Sequence, residues 1–194
     1  KLLRSVQLLG QNHQIDKIVH AAVYTVNRTA LEIERSREVI SINLEGTANM
    51  LELARTLKVD RFVYVSSGAA YGNALPGDQT LNEETPPSPD NLYGITKFSS
   101  EMITSRYGEL HGLSTVSVRL STPYGPMERI TGHRAVMSVF YDWTGRAVRG
   151  ETIKPQGLSG GRDYTYILDI ANGIRTVLDS TSLLHSVYNI TTGI

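Results

Sequence analysis

The chain has 194 residues, 40% of them hydrophobic and 20% charged, with Lys plus Arg equal to Asp plus Glu at 19 each. That balance gives no electrostatic footprint for nucleic acid or an anionic membrane surface, and no apolar run is long enough to span a bilayer. The absence of cysteine excludes disulfides, thiolate metal sites and a thiol nucleophile, and leaves a cytoplasmic location as the default.

Residues 1–13 carry Leu2, Leu3, Val6 and Leu9 on one helical face and predict the tail of a helix. Residues 15–22 (IDKIVHAA) predict a short buried strand. A polar stretch follows, and Ile42, Ala48, Leu51 and Ala54 then predict a helix over 37–57. Residues 61–66 (RFVYVS), β-branched and aromatic, are the clearest strand. Residues 75–89 are rich in Pro, Gly, Asp and Asn and predict a loop. Asn91 or Asp90 caps the next helix, which runs to about Leu110, with Gly112 as its stop. Residues 114–120 (STVSVRL) predict another strand. Residues 123–162, with Pro123, Pro126, Pro155 and several glycines, predict irregular structure. A strand near 164–167, a helix near 169–178 and a strand near 186–190 complete the chain.

Strands separated by helices imply an α/β fold, a doubly wound parallel sheet of the Rossmann type with helices on both faces. Residues 1–122 then hold most of that sheet, and 123–194 form a mixed segment with its last strands. Ligands of such sheets sit at the carboxyl ends of the strands. Ala21-Ala22, Ser66-Ser67 and Thr122-Pro123 fall at three of those ends.

Tyr93 and Lys97 are four apart and share a face of the predicted helix. Ser67 ends the preceding strand, which a parallel sheet brings beside the helix start. Oxidising an alcohol by hydride transfer requires removal of the hydroxyl proton. A free tyrosine has a pKa of about 10, so poising Tyr93 near neutrality needs roughly 4 kcal/mol. A cation about 4 Å away supplies about 1 kcal/mol in water but about 4 kcal/mol at an effective dielectric near 20. Lys97 therefore suits this role only in a partly buried site, with Ser67 donating a hydrogen bond to the reacting oxygen. Taken alone, the Tyr-Lys spacing is common in helices and Ser-Ser-Gly is an ordinary turn.

Order and surroundings add more. Residues 62–72 read FVYVSSGAAYG, followed by YGITK at 93–97 and Glu101. DKIVHAA at 16–22, NLEGT at 43–47, RLSTPYGP at 119–126, RDYTYILDIA at 162–171 and YNI at 188–190 accompany them in order. Together these resemble the extended short-chain dehydrogenase/reductase family, the NAD-dependent epimerases and dehydratases that include UDP-galactose 4-epimerase. The resemblance implies Ser67, Tyr93 and Lys97 as catalytic residues, with Lys97 also holding the nicotinamide ribose and the positive nicotinamide ring helping to acidify Tyr93. It implies a cofactor site of Ala21, Ala22, Val23, Asn43, Ser66, Tyr93, Lys97 and Pro123, and substrate contacts from Ser67, Thr122 and Arg162. It implies part of a dinucleotide-binding domain for residues 1–122 and the substrate pocket for 123–194. The cofactor implied is NAD, with NADP as the alternative. The partners implied are a sugar or nucleotide-sugar substrate and a second copy of the chain, with no nucleic acid and no membrane. Outside the resemblance, Asn43 is an ordinary polar residue at a helix start, Pro123 a strand terminator and Arg162 a surface ion-pair partner. Glu101 reads as helix surface or a structural partner, and His20 as a packed core histidine; the scattered histidines suggest no metal site.

The family's GxxGxxG turn has no counterpart, since Gly157-Leu158-Ser159-Gly160-Gly161 lies in an irregular stretch. The sequence is thus expected to be the middle of a longer enzyme, lacking the first glycine-motif unit. Dehydratases of the family place Asp-Glu after the catalytic hydroxyl, where this chain has Gly68 and Ala69; Thr122 replaces the family's usual Asn. Gly68 and Ala69 disfavour a dehydratase and leave an epimerase as the reading, with a net dehydrogenase or reductase and a non-catalytic binding member as the alternatives.

Overall fold

The structure, a computed structural model, describes residues 14–26, 29–74, 80–130, 137–153 and 163–193. Its first strand, β1 (Lys17–His20), is followed by one long helical run. That run comprises α1 (Thr29–Ile40), a π-helical turn (Ser41–Glu45) and α2 (Gly46–Leu57). Then come β2 (Arg61–Ser67), a 3-10 turn (Gly68–Ala70), α3 (Leu92–His111), β3 (Thr115–Leu120), β4 (Thr122–Tyr124), α4 (Val139–Val148), β5 (Tyr164–Tyr166), α5 (Ile167–Asp179) and β6 (Val187–Ile190).

The main sheet has the order β1-β2-β3-β6, and every pairing is parallel. Alternation along β2 sends Phe62 and Tyr64 to one face and Val63 and Val65 to the other. The first face packs with Ile18 against Leu51 and Ala54 of α2 and Ile103 and Tyr107 of α3. The second packs with Val116 and Val118 against Ile174, Val177 and Leu178 of α5. Helices on both faces explain why β2 reads as a nearly unbroken apolar run. This is the doubly wound Rossmann-type sheet expected from the sequence.

The ends of α3 follow the capping rules. The Asn91 side chain accepts from the Gly94 amide at 2.8 Å, and Gly112 closes the helix at φ +64°. Three expectations need correction. The long helical run begins at Thr29 rather than at residue 37. Its first part buries only Val39 and leaves Ile33 77% exposed, so no apolar stripe marks it. The stretch 123–162 is not wholly irregular, because it holds most of β4 and all of α4. β4 pairs with β5 in a separate two-stranded sheet, where Pro123 is tolerated because few ladder bonds are needed. Thr122 and Pro123 accordingly open β4 instead of ending β3. Residues 1–13, the stretch 157–161 and Arg162 lie outside the described residues.

Candidate active site

β2 leaves the core at Ser67, whose extended backbone opens the 3-10 turn. The Ser67 hydroxyl oxygen accepts from the Ala69 amide at 3.2 Å. That bond fixes the oxygen and leaves the hydroxyl proton to donate. The first turn of α3 packs directly on this 3-10 turn through Gly94, where an added Cβ would stand 2.5 Å from the Ala69 carbonyl oxygen. Tyr93, the neighbour of Gly94, is half-buried.

Lys97 stands one turn further along α3 and is 2% exposed. Its ammonium donates to the Val65 carbonyl at 2.7 Å, two residues before Ser67. The same nitrogen lies 4.9 Å from the centre of the Tyr64 ring and 5.9 Å from that of Tyr93. Both are cation–π distances. Burial lowers the Lys97 pKa to about 8, while the Glu101 carboxylate pulls it upward. At neutral pH the group is thus still mainly a cation, held in a low-dielectric corner beside Tyr93. The structure brings Ser67, Tyr93 and Lys97 to one corner by these two junctions, Lys97 on Val65 and Gly94 on Ala69.

Asn43 sits in the π-helical turn, 2% exposed. The turn's extra residue carries the side chain out of the regular helical phase. Its Oδ1 accepts from the Tyr24 amide at 2.8 Å, and its Nδ2 donates to the Tyr24 carbonyl at 3.2 Å and to Thr96 Oγ1 at 3.0 Å. Asn43 therefore ties the loop after β1 to α3, next to Lys97. Ala21 and Ala22 are exposed in that loop just past the end of β1, and Val23 is half-buried. Thr122 and Pro123 are half-buried in β4, beyond the end of β3.

The Ser66 side chain turns inward, 3% exposed, and donates to Glu101. Glu101 is a buried structural partner and not helix surface. Its carboxylate accepts from Arg119 Nε at 3.0 Å and from Nη2 at 2.7 Å, both side chains being 4% exposed. Arg119 also stacks on Tyr71, with its Cζ 4.5 Å from the ring centre. The Tyr71 hydroxyl reaches Asn189 Oδ1 at 2.9 Å. The sequence reading missed this network. The signal was present, because an arginine inside the buried strand TVSVRL requires an anion nearby.

His20 is a core histidine. Its Nε2 meets Thr47 Oγ1 at 3.2 Å, and the Thr47 hydroxyl gives its own proton to the Asn43 carbonyl. His20 is therefore the donor, neutral with its proton on Nε2. Burial, then the Lys97 charge, lower its pKa to about 4.

A family model described as NAD dependent epimerase/dehydratase matches residues 3–191. The chain belongs to that family. It is 30% identical to the UDP-glucuronate 4-epimerase of Thermodesulfobacterium geofontis, over 96% of this chain and 54% of the relative. Human dTDP-D-glucose 4,6-dehydratase is 32% identical over 62% of this chain and 33% of its own length. The Thermus thermophilus UDP-glucose 4-epimerase, solved with NAD, superposes with a TM-score of 0.82 at 28% identity. That match covers 99% of this chain and 61% of the epimerase. The chain thus spans about half the length of the UDP-glucuronate epimerase and about three fifths of the solved one.

Proposed function

We propose that the protein is an NAD-dependent nucleotide-sugar epimerase. The observation that carries the proposal is the buried Lys97 ammonium on α3, beside Tyr93 and bonded two residues before Ser67. Support comes from relatives of both epimerase and dehydratase name, and the 3-10 turn after Ser67 favours the former. Elimination of water needs an acid and a base, and Gly68 and Ala69 place no carboxylate after Ser67.

The residues present fit the nicotinamide–ribose half of the cofactor. Small Ala21 and Ala22 after β1 permit close approach, and Lys97 offers a buried cationic donor next to Thr96, which Asn43 ties to the same loop. When bound, NAD supplies the hydride acceptor and donor. Tyr93 takes the proton of the sugar hydroxyl, Lys97 stabilises the phenolate, and Ser67 donates to the oxygen as it becomes a ketone. The ketone turns its other face, and Tyr93 returns the proton. Pro123, Thr122 and Arg162 belong to this reading as contacts to ring and substrate. The 1–122 and 123–194 division belongs to it as the split between cofactor and substrate sides.

Full-length protein incubated with UDP-glucose or UDP-glucuronate is expected to give the C4 epimer, read by proton NMR, with no steady rise in 340-nm absorbance. Tyr93→Phe is expected to lower turnover roughly 100-fold or more. A steady rise at 340 nm would instead assign a net dehydrogenase. A homodimer and a cytoplasmic location complete the proposal. The dimer surface would use the helices around α2 and α3, where Ile42, Ile95 and Met102 are exposed, and sedimentation of the full chain tests it.

A further inference from the structure

We infer that the Glu101–Arg119 pair is a positioning device that holds Lys97 in its charged form and seats the strand end at Ser66-Ser67. The inference rests on the epimerase reading only for why that charge matters. Glu101 follows Lys97 by one helical turn, so both side chains lie on the sheet-facing side of α3. The carboxylate is shared by Ser66, adjacent to Ser67, and by Arg119 on β3. Arg119 Nη1 is buried without a hydrogen-bond partner, its guanidinium lying over the Tyr71 ring. A pair selected for stability alone is a poor choice here, since apolar replacements of buried pairs are often neutral or stabilising.

The groups facing Lys97 come from every element around it. His20 on β1 is neutral, Tyr64 on β2 is pushed above the usual tyrosine range by burial, and Tyr93 and Glu101 share α3. Arg119 stands behind Glu101 on β3. Glu101 is the one carboxylate among these groups. Without it Lys97 would face Arg119 unscreened, in a site whose burial already favours the neutral amine.

In the full-length protein Lys97 is titrated directly by NMR of 13Cε-labelled lysine, its signal assigned by Lys97→Arg. In Glu101→Gln the Lys97 midpoint is expected to fall by roughly one unit or more. The alkaline limb of the turnover profile should fall with it. Glu101→Asp, which keeps the charge, should restore most of both. Glu101→Gln/Arg119→Met removes both charges of the pair and leaves neither stranded, so it is the variant that folds if the single one does not. Its midpoint should fall too, by less than in the single variant. A folded single or double variant with an unmoved Lys97 midpoint overturns the inference. The titration is made without substrate, so its failure is distinct from failure of the epimerase reading.

Discussion

The two sides of the candidate site are built differently. On the β2–α3 side, Lys97, Glu101, Arg119, Asn43 and His20 are all at most 5% exposed and are bonded to one another's elements. On the β4–β5–α4 side, α4 buries no side chain fully. Its contact with the small sheet is an aromatic group in which Phe140 lies 4.6 Å from Tyr124 and 4.9 Å from Tyr164, ring centre to centre. A cavity of about 480 Å³, lined among others by Tyr124, Glu128, Phe140 and Arg149, opens beside that group. The difference teaches a division of labour. On the proposed reading, the chemistry rests on buried, mutually bonded polar groups, whereas the outer side is a half-exposed aromatic surface.

Acid should separate the two sides first and most strongly. His20 has a folded pKa near 4 against an ordinary value of 6.5, so the unfolded chain binds more protons between those limits. Its contribution to stability is full above about pH 6.5 and is lost as the pH falls toward 4, amounting to about 3 kcal/mol. Urea unfolding across this window should show that slope, and His20→Gln should flatten it. An equal slope in the variant would remove His20 from the account.

The next test strikes the junction between Ser67 and α3. Gly94→Ala adds a Cβ 2.5 Å from the Ala69 carbonyl and 3.1 Å from Pro89 Cβ. Overpacking costs about 1–3 kcal/mol, against a helix-propensity gain of about 1 kcal/mol. Net stability should therefore fall by no more than about 2 kcal/mol. Turnover should fall about 100-fold, because a shift near 1 Å between Tyr93 and Ser67 is enough to do so. Unchanged turnover would mean that this contact does not set the geometry.

What the sequence made legible follows the same division. β2 and the caps of α3 announce themselves through local rules: a β-branched run, an Asn before a helix, a Gly after it; Ser67, Tyr93 and Lys97 stand out only through the order and surroundings of their motifs. The Rossmann-type sheet followed from the order of strands and helices. The ion pair was half legible: Arg119 inside the buried strand calls for an anion, but that Glu101 is the anion depends on how α3 meets β3. Asn43 was legible as a polar residue of interest, but its clamp on Tyr24 and Thr96 depends on a π-helical turn that no residue pattern marks. α1 was missed because it buries only Val39 and carries no apolar stripe to read, whereas α4 carries apolar residues but is short and stands in a Pro- and Gly-rich stretch. Arg162, expected in substrate binding, lies outside the described residues.

The smallest expected effect is on the outer side. Phe140 is 39% exposed, so its truncation removes ring contacts more than buried area. Phe140→Ala should lower stability by about 1 kcal/mol, the size of an aromatic pair. Lys97 is in a different part of the fold, bonded to Val65, and its titration should not move. If the cavity beside Phe140 serves the nucleotide sugar, KM should rise with kcat nearly unchanged, the pattern of lost uniform binding. A fall in kcat at constant KM would join this side to the chemistry and end the division between the two. Comparison of UDP-glucose with UDP-glucuronate in the same variant sharpens the point. A change in their ratio of kcat/KM would make α4 a determinant of specificity, whereas a uniform loss would leave it as packing that shapes the mouth of the site.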